Sequence, residues 1–133
     1  MNERTEAQPD PERWREIESF SAMAVMLYPN LPQRCLENLT LFAFSRYGVA
    51  WRSDLTLRDR VARAAAAHAR HCHTRYDRLA PKHLIMRHHR SGMDLKEWRS
   101  RRESWARELV EPEVVRLLEV WAHGNVRRAY CER

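Results

Sequence analysis

Three histidines and one cysteine lie within the six residues 68–73, which read HARHCH. An imidazole exchanges protons near neutral pH, and imidazole and thiolate are both ligands of zinc. His68 and Cys72 are one helical turn apart and could share an ion, but a tetrahedral site needs two further ligands. The histidines of segment 82–90 are the only rich source of them, and the sequence lacks paired zinc ligands. We therefore assign no metal ion and no other cofactor.

The same histidines are candidate catalytic groups. His68 or His71 could act as a general base while Arg75 holds a phosphate. The sequence shows neither the acidic cluster of a metal-dependent nuclease nor the partner residues of a hydrolase triad. We therefore predict no catalytic residue. The simpler interpretation makes His68 a core histidine, hydrogen-bonded to a neighbouring helix, and places His71 and Arg75 on a basic face.

A helix must position these side chains, and its periodicity divides them into two sets. The apolar stripe of that helix consists of Leu57, Val61, Ala65, Cys72, Tyr76 and Leu79, with His68 in its middle. The wheel places a half-buried set on or beside this stripe: His68, His71, Cys72 and Arg75. It places an exposed i,i+4 pair on the opposite face: His73 and Asp77. The segment is therefore predicted not to be one site.

The positions of capping residues, prolines and glycines predict helices throughout the chain. Glycine is scarce, and no alternating apolar–polar run is long enough to form a strand. Thr56 and Asp94 are the predicted caps of two helices, and Gly48 is predicted to end another. With the prolines and other glycines they delimit six segments, at residues 10–28, 33–47, 56–79, 82–90, 94–110 and 112–124. The predicted fold is all-α, a single compact bundle of five to six helices spanning residues 10–124. A disordered lead at 1–9 and a loose tail at 125–133 complete the prediction.

One stretch of the chain resembles a known pattern. Residues 67–79 read AHARHCHTRYDRL and resemble the A-H-x-R-H-x-x-T-x-Y-D-x-L signature of a bacterial family of domains of unknown function. In that family a helix of the form A-R-x-x-V…V-x-x-L-x-x-W follows, and residues 106–121 are similar to it. The basic insert between Leu79 and Ala106 departs from the family pattern. The resemblance implies a shared helical core without a catalytic assignment, in which Tyr76 and Asp77 tie helix ends together.

The positive charge is confined to one stretch, residues 51–104, which we call the basic block. It carries fourteen Lys/Arg against six Asp/Glu, whereas residues 1–50 carry five against seven and residues 105–133 carry five of each. Such a local field is typical of proteins that bind polyanions. Only two of the 24 basic residues are lysines, and GC-rich coding would give the same bias. The predicted phosphate contacts are Arg75, Lys82, Arg87, His88, His89, Arg90, Arg99 and Arg101.

A second candidate surface lies on the predicted fifth helix. Arg102 stands between Trp98 and Trp105 at helical spacing, so a cation–π sandwich is available. In one interpretation both tryptophans belong to the core and Arg102 extends along them. In the other they form an exposed platform on which unpaired bases stack. The sequence leaves both open.

These patterns favour a non-enzymatic helical module that binds RNA or DNA, alone or as a small subunit of a larger nucleoprotein complex. One alternative is a protein–protein adaptor that docks an acidic partner, for which five tryptophans and five methionines would supply the surface. Another is a histidine-dependent enzyme that acts on nucleic acid.

The expected compartment is the cytoplasm. The three cysteines, Cys35, Cys72 and Cys131, form no C-x-x-C pair and favour a reducing environment. The first thirteen residues are charged and lack the apolar core of a secretory signal. No run approaches eighteen apolar residues, so we expect no membrane partner.

Overall fold

The computed structural model describes residues 11–79, 92 and 94–124. They form five α-helices and no strand: α1 (Pro11–Leu27), α2 (Gln33–Ala43), α3 (Leu57–His73), α4 (Tyr76–Leu79) and α5 (Leu95–His123), with a 3₁₀ turn at Val49–Trp51 between α2 and α3. The predicted all-α class with five to six helices is therefore confirmed. The predicted lead at 1–9, the helix at 82–90 and the tail at 125–133 lie outside the described residues.

The chain divides into two compact units. The first contains the described residues up to Ala65 together with Trp121–Gly124, and the second contains those of Ala66–Val120. Helices α3 and α5 each contribute residues to both units. That residues 10–124 behave as one domain stays a prediction.

Two helices begin where the sequence places their caps. The Thr56 hydroxyl accepts a hydrogen bond of 3.1 Å from the backbone N–H of Asp59, at the start of α3. The Asp94 carboxylate accepts bonds from the backbone N–H groups of Lys96 (3.0 Å) and Glu97 (3.3 Å), at the start of α5. These side chains satisfy amide groups that have no partner within the helix. Both predicted caps are confirmed.

Helix α2 is shorter than the predicted segment 33–47. It ends at Ala43, and the next residue, Phe44, still donates its backbone N–H to the carbonyl of Thr40 (3.1 Å). The chain then turns back on the helix, so that a Cβ atom on Gly48 would lie 2.1 Å from the Ala43 carbonyl oxygen. Gly48 therefore permits a close backbone approach beyond the helix rather than ending the helix itself.

The predicted helix 56–79 is interrupted. Helix α3 ends at His73 and α4 begins at Tyr76. The Thr74 hydroxyl donates to the carbonyl of Arg70 (2.5 Å) and accepts from the backbone N–H of Tyr76 (3.1 Å). A hydroxyl that bonds the backbone in this way competes with the helical ladder, which is why the helix breaks here.

The predicted helices 94–110 and 112–124 are one helix, α5, with Pro112 inside it. A proline within a helix costs about 3 kcal/mol. Val110 and Val114 on either side of it are 0% and 1% exposed. Burial of each valine contributes about 2 kcal/mol, which is enough to offset the proline and keep the helix continuous.

Each unit has its own buried side chains. In the first unit the Phe44 ring contacts Phe20 and Trp51 edge to face, with centroid distances of 5.4 and 5.6 Å. Trp121 contacts Tyr28 in the same way at 6.5 Å and accepts a backbone bond of 2.8 Å from Asn30. In the second unit the buried residues are His68, Ala69, Tyr76, Trp98, Ala106, Val110 and Val114. None of the described helices is long and apolar enough to cross a membrane.

Candidate functional site

The interruption between α3 and α4 brings together residues that a continuous helix would separate. We call this site the helix break; it consists of Arg70, His71, Thr74, Tyr76 and Asp77. The Asp77 carboxylate lies 2.6 Å from Nδ1 of His71, and both side chains are about half exposed. Because an ionised carboxylate only accepts hydrogen bonds, Nδ1–H of the ring is the donor. The break therefore fixes the orientation of this imidazole.

Tyr76 is the buried centre of the helix break. It is 6% exposed, and the ring of His71 meets its ring edge to face at a centroid distance of 5.2 Å. The guanidinium carbon of Arg70 lies 6.0 Å from the centroid of the same ring. That Tyr76 and Asp77 tie helix ends together stays a prediction.

The surroundings of Arg70 disfavour its positive charge. Burial lowers its pKa, and the nearby charge of Arg107 lowers it further, while Glu111 and Tyr76 raise it in part. Its Nε atom is buried and has no hydrogen-bond partner among the described residues. Two guanidinium groups in the second unit therefore repel each other, with Glu111 compensating only in part.

The wheel prediction for the histidines is partly wrong. His68 is buried, as predicted, at 6% exposure, and burial followed by the charge of His73 lowers its pKa. His73 does not lie on a face apart from His68: its ring lies 5.2 Å from the ring of His68. Asp77 pairs with His71 instead, because α3 ends at His73 and the wheel does not extend past that residue.

The half-buried set is likewise corrected. Cys72 and Arg75 are exposed rather than half-buried, whereas the side chain of His71 is about half exposed. Residual burial and the charge of Asp77 raise the pKa of the Cys72 thiol, which keeps it protonated and poorly nucleophilic. Among the described residues, no group of three potential metal ligands contains both His68 and Cys72.

The predicted phosphate contacts fall into three classes. Arg75 and Arg99 are exposed and have no acidic partner among the described residues. Arg101 is exposed but donates to Glu97 one turn earlier, at 3.0 Å. The remaining predicted contacts lie outside the described residues: Lys82, Arg87, His88, His89 and Arg90.

The two tryptophans of α5 have different surroundings, so neither interpretation of this helix holds for both. Trp98 is buried at 8% exposure, whereas Trp105 is 42% exposed. The guanidinium carbon of Arg102 lies 4.2 Å from the ring centroid of Trp105, and its Nε donates to the carbonyl of Leu79 (3.3 Å). Trp98 therefore belongs to the core, and Arg102 covers a face of Trp105.

The acidic residues of the basic block are largely engaged with near neighbours. Asp54 accepts two bonds from Arg52 (2.7 and 2.8 Å), and this hydrogen bonding is the main reason that its pKa is lowered to about 2. Asp77 pairs with His71, and Asp94 caps α5. With Glu97 held by Arg101, few carboxylates remain to neutralise the other arginines.

The arginines that remain are exposed and make no direct ion pair within the described part of the chain: Arg58, Arg63, Arg75, Arg78 and Arg99. The charge of Arg63 nevertheless contributes to the lowered pKa of Asp54. Three of them, Arg58, Arg63 and Arg78, are not among the predicted phosphate contacts. The sequence signal that could have identified these arginines is the excess of basic over acidic residues around them. It becomes clear once the acids that bond to near neighbours are discounted. Arg78 follows Arg75 by three residues. The single acidic residue between them is Asp77, whose carboxylate contacts His71.

A cavity of about 320 Å³ lies in the first unit and is a weaker candidate. Its charged lining contains two glutamates, Glu12 and Glu16, and two arginines, Arg15 and Arg60. Arg60 is already engaged, because it donates to the carbonyls of Leu55 (3.1 Å) and Ala50 (3.3 Å). The opposite charges cancel, so the cavity has no preference for an anion.

The described residues of both units form helices and no strand, so the protein belongs to the all-helical class. Its candidate site is a helix break among arginines that have no direct ion pair. The chain is a member of the family described as "Uncharacterized conserved protein (DUF2293)", whose profile matches residues 24–122. The expected membership of a family of domains of unknown function is confirmed. Comparisons with the curated proteins and with the solved structures found no match.

Proposed function

We propose that the protein binds the phosphate backbone of a nucleic acid through the arginines of the basic block, without catalysing a reaction, and that it does so in the cytoplasm. The observation that carries the proposal is the local engagement of the acids of the block. Asp54, Asp77 and Glu97 each contact a basic neighbour, and five exposed arginines are left without a direct ion pair within the described residues. A guanidinium group binds phosphate through two parallel hydrogen bonds, and arginine is the side chain best suited to this contact.

The helix break adds to this positive potential. Arg75 and Arg78 lie on either side of Asp77, whose carboxylate contacts His71. Arg70 and Arg107 bring two further guanidinium groups into the second unit, and a bound phosphate would relieve their repulsion. If four to six phosphates are neutralised, the logarithm of the binding constant falls with the logarithm of salt concentration with a slope of roughly −3 to −5.

The test is fluorescence anisotropy of labelled single-stranded RNA, single-stranded DNA and duplex DNA across a salt series. A double variant, Arg75→Ala with Arg78→Ala, removes two uncompensated arginines. The matched control, Arg52→Ala with Arg101→Ala, lowers the net charge equally but removes arginines that already have acidic partners.

We expect the Arg75/Arg78 variant to bind about tenfold more weakly and to lose roughly 1.5 to 2 from the salt slope. The control should change both quantities much less. Absence of binding by the unmodified protein, or an affinity that does not depend on salt, would contradict the proposal. An equal loss in the two variants would contradict the assignment of contacts to Arg75 and Arg78.

One observation favours a second candidate, a histidine-dependent enzyme acting on nucleic acid. The pair of Asp77 with Nδ1 of His71 leaves Nε2 as a base, an arrangement that also serves general-base catalysis. Both side chains of the pair are about half exposed. The pair itself supplies one base and no acid that could protonate a leaving group. We rank this function below simple binding.

A further inference from the structure

The turn after α2 exposes a tyrosine that is not part of the buried core. Tyr47 is 87% exposed, more than any other large hydrophobic side chain of the described residues. The guanidinium carbon of Arg46 lies 5.2 Å from the centroid of its ring. One face of the ring therefore carries a cation, and most of the remaining surface is in water.

Hydrogen bonds hold this turn in one conformation. The Ser45 hydroxyl donates to the carbonyl of Phe42 (2.7 Å), and the Ser45 carbonyl accepts from the backbone N–H of Gly48 (2.9 Å) and from the indole of Trp51 (2.8 Å). The contact of Gly48 with the end of α2 leaves no room for a side chain there. Because the backbone is already ordered, a ligand that contacts Tyr47 pays little entropy for fixing the turn.

Along the chain, the turn lies in a segment that is positive and apolar. No acidic residue occurs between Glu37 and Asp54, and Asp54 is bonded to Arg52, so the charge of Arg46 has no counter-charge along this stretch. Leu41 and Phe42, just before the turn, are 70% and 66% exposed. The matching ligand must offer a flat π surface together with negative charge.

We propose that Arg46 and Tyr47 form a stacking site for an unpaired base of a single-stranded nucleic acid, with Arg46 beside the base or its phosphate. This inference rests on the proposed function and narrows it to single strands. A base within a duplex has both faces covered by its neighbours, whereas an unpaired base can stack on an exposed aromatic ring. Arginine supports such stacking by contacting the same π system.

The test compares Tyr47→Ala with Tyr47→Phe, which keeps the ring. We expect Tyr47→Ala to weaken binding of a single-stranded RNA oligonucleotide roughly 5- to 100-fold, and Tyr47→Phe to leave it within about twofold. Neither substitution should change binding of duplex DNA. Because the side chain is exposed, both variants should keep the thermal unfolding midpoint of the unmodified protein.

The outcomes separate this inference from the proposed function. Normal single-strand binding by Tyr47→Ala, together with weakened binding by the Arg75/Arg78 variant, would overturn the stacking site and leave the proposed function standing. Equal losses on single strands and duplex would also overturn it. If Tyr47→Ala abolished self-association of the protein without changing RNA affinity, the turn would be a protein interface. Absence of nucleic-acid binding by the unmodified protein would overturn both.

Discussion

Asp77 lies 2.6 Å from Nδ1 of His71, although six residues separate them along the chain. On an uninterrupted helix residues six apart point about 120° away from each other, because each residue advances by about 100°. The contact exists because α3 ends at His73 and Thr74 redirects the chain. The break at Thr74 therefore determines which carboxylate His71 contacts.

Thr74 is the first residue to test. The substitution Thr74→Val keeps the shape of the side chain but removes both hydrogen bonds of its hydroxyl, to the Arg70 carbonyl and the Tyr76 amide. We expect it to lower the free energy of unfolding by about 1 to 3 kcal/mol, measured by urea denaturation. Ser100→Ala, at an exposed position of α5, is the control and should change it by less than about 0.5 kcal/mol. Equal stability of the Thr74 variant would contradict the assigned role of the hydroxyl.

The same break shows what a sequence can and cannot predict here. The caps at Thr56 and Asp94 were predictable because a cap depends on residues within one turn of it. The pairing of Asp77 was not, because a helical wheel presumes a continuous helix. The continuity of α5 through Pro112 depends on burial on both sides of the proline, which the local sequence does not encode.

His68 makes the stability depend on pH. Burial and the neighbouring His73 lower its pKa in the folded protein below the ordinary value of 6.5. The unfolded chain therefore binds the proton more readily, so stability is full above about pH 6.5 and falls as the pH drops toward the folded pKa. We expect His68→Gln to show a flatter dependence between pH 7.5 and about pH 5, measured by urea denaturation at each pH. Parallel curves for the two proteins would contradict this prediction.

Trp98 and Trp105 should differ in their contribution to stability. Trp98 is 8% exposed, and replacing such a tryptophan by alanine costs about 3 to 5 kcal/mol. Trp105 is 42% exposed and rests mainly on Arg102, so we expect Trp105→Ala to cost about 1 to 2 kcal/mol. Chemical denaturation of both variants measures the difference, and Trp98→Phe provides a milder variant that retains the fold. The ranking fails if Trp105→Ala is the more destabilising change.

Catalysis by His71 can be separated from binding. A general base contributes about 10²- to 10⁴-fold to a reaction, but cleavage of a phosphodiester also needs a group that protonates the leaving oxygen. The half-exposed pair of His71 with Asp77 supplies a base but no such acid. We therefore expect the unmodified protein to leave labelled single-stranded RNA intact over hours, as the His71→Ala variant does. Cleavage that is present in the unmodified protein and absent in a folded His71→Ala variant would instead establish the second candidate function. Asp77→Asn would then show whether the carboxylate orients the base, because loss of that pairing should lower the rate without abolishing RNA binding.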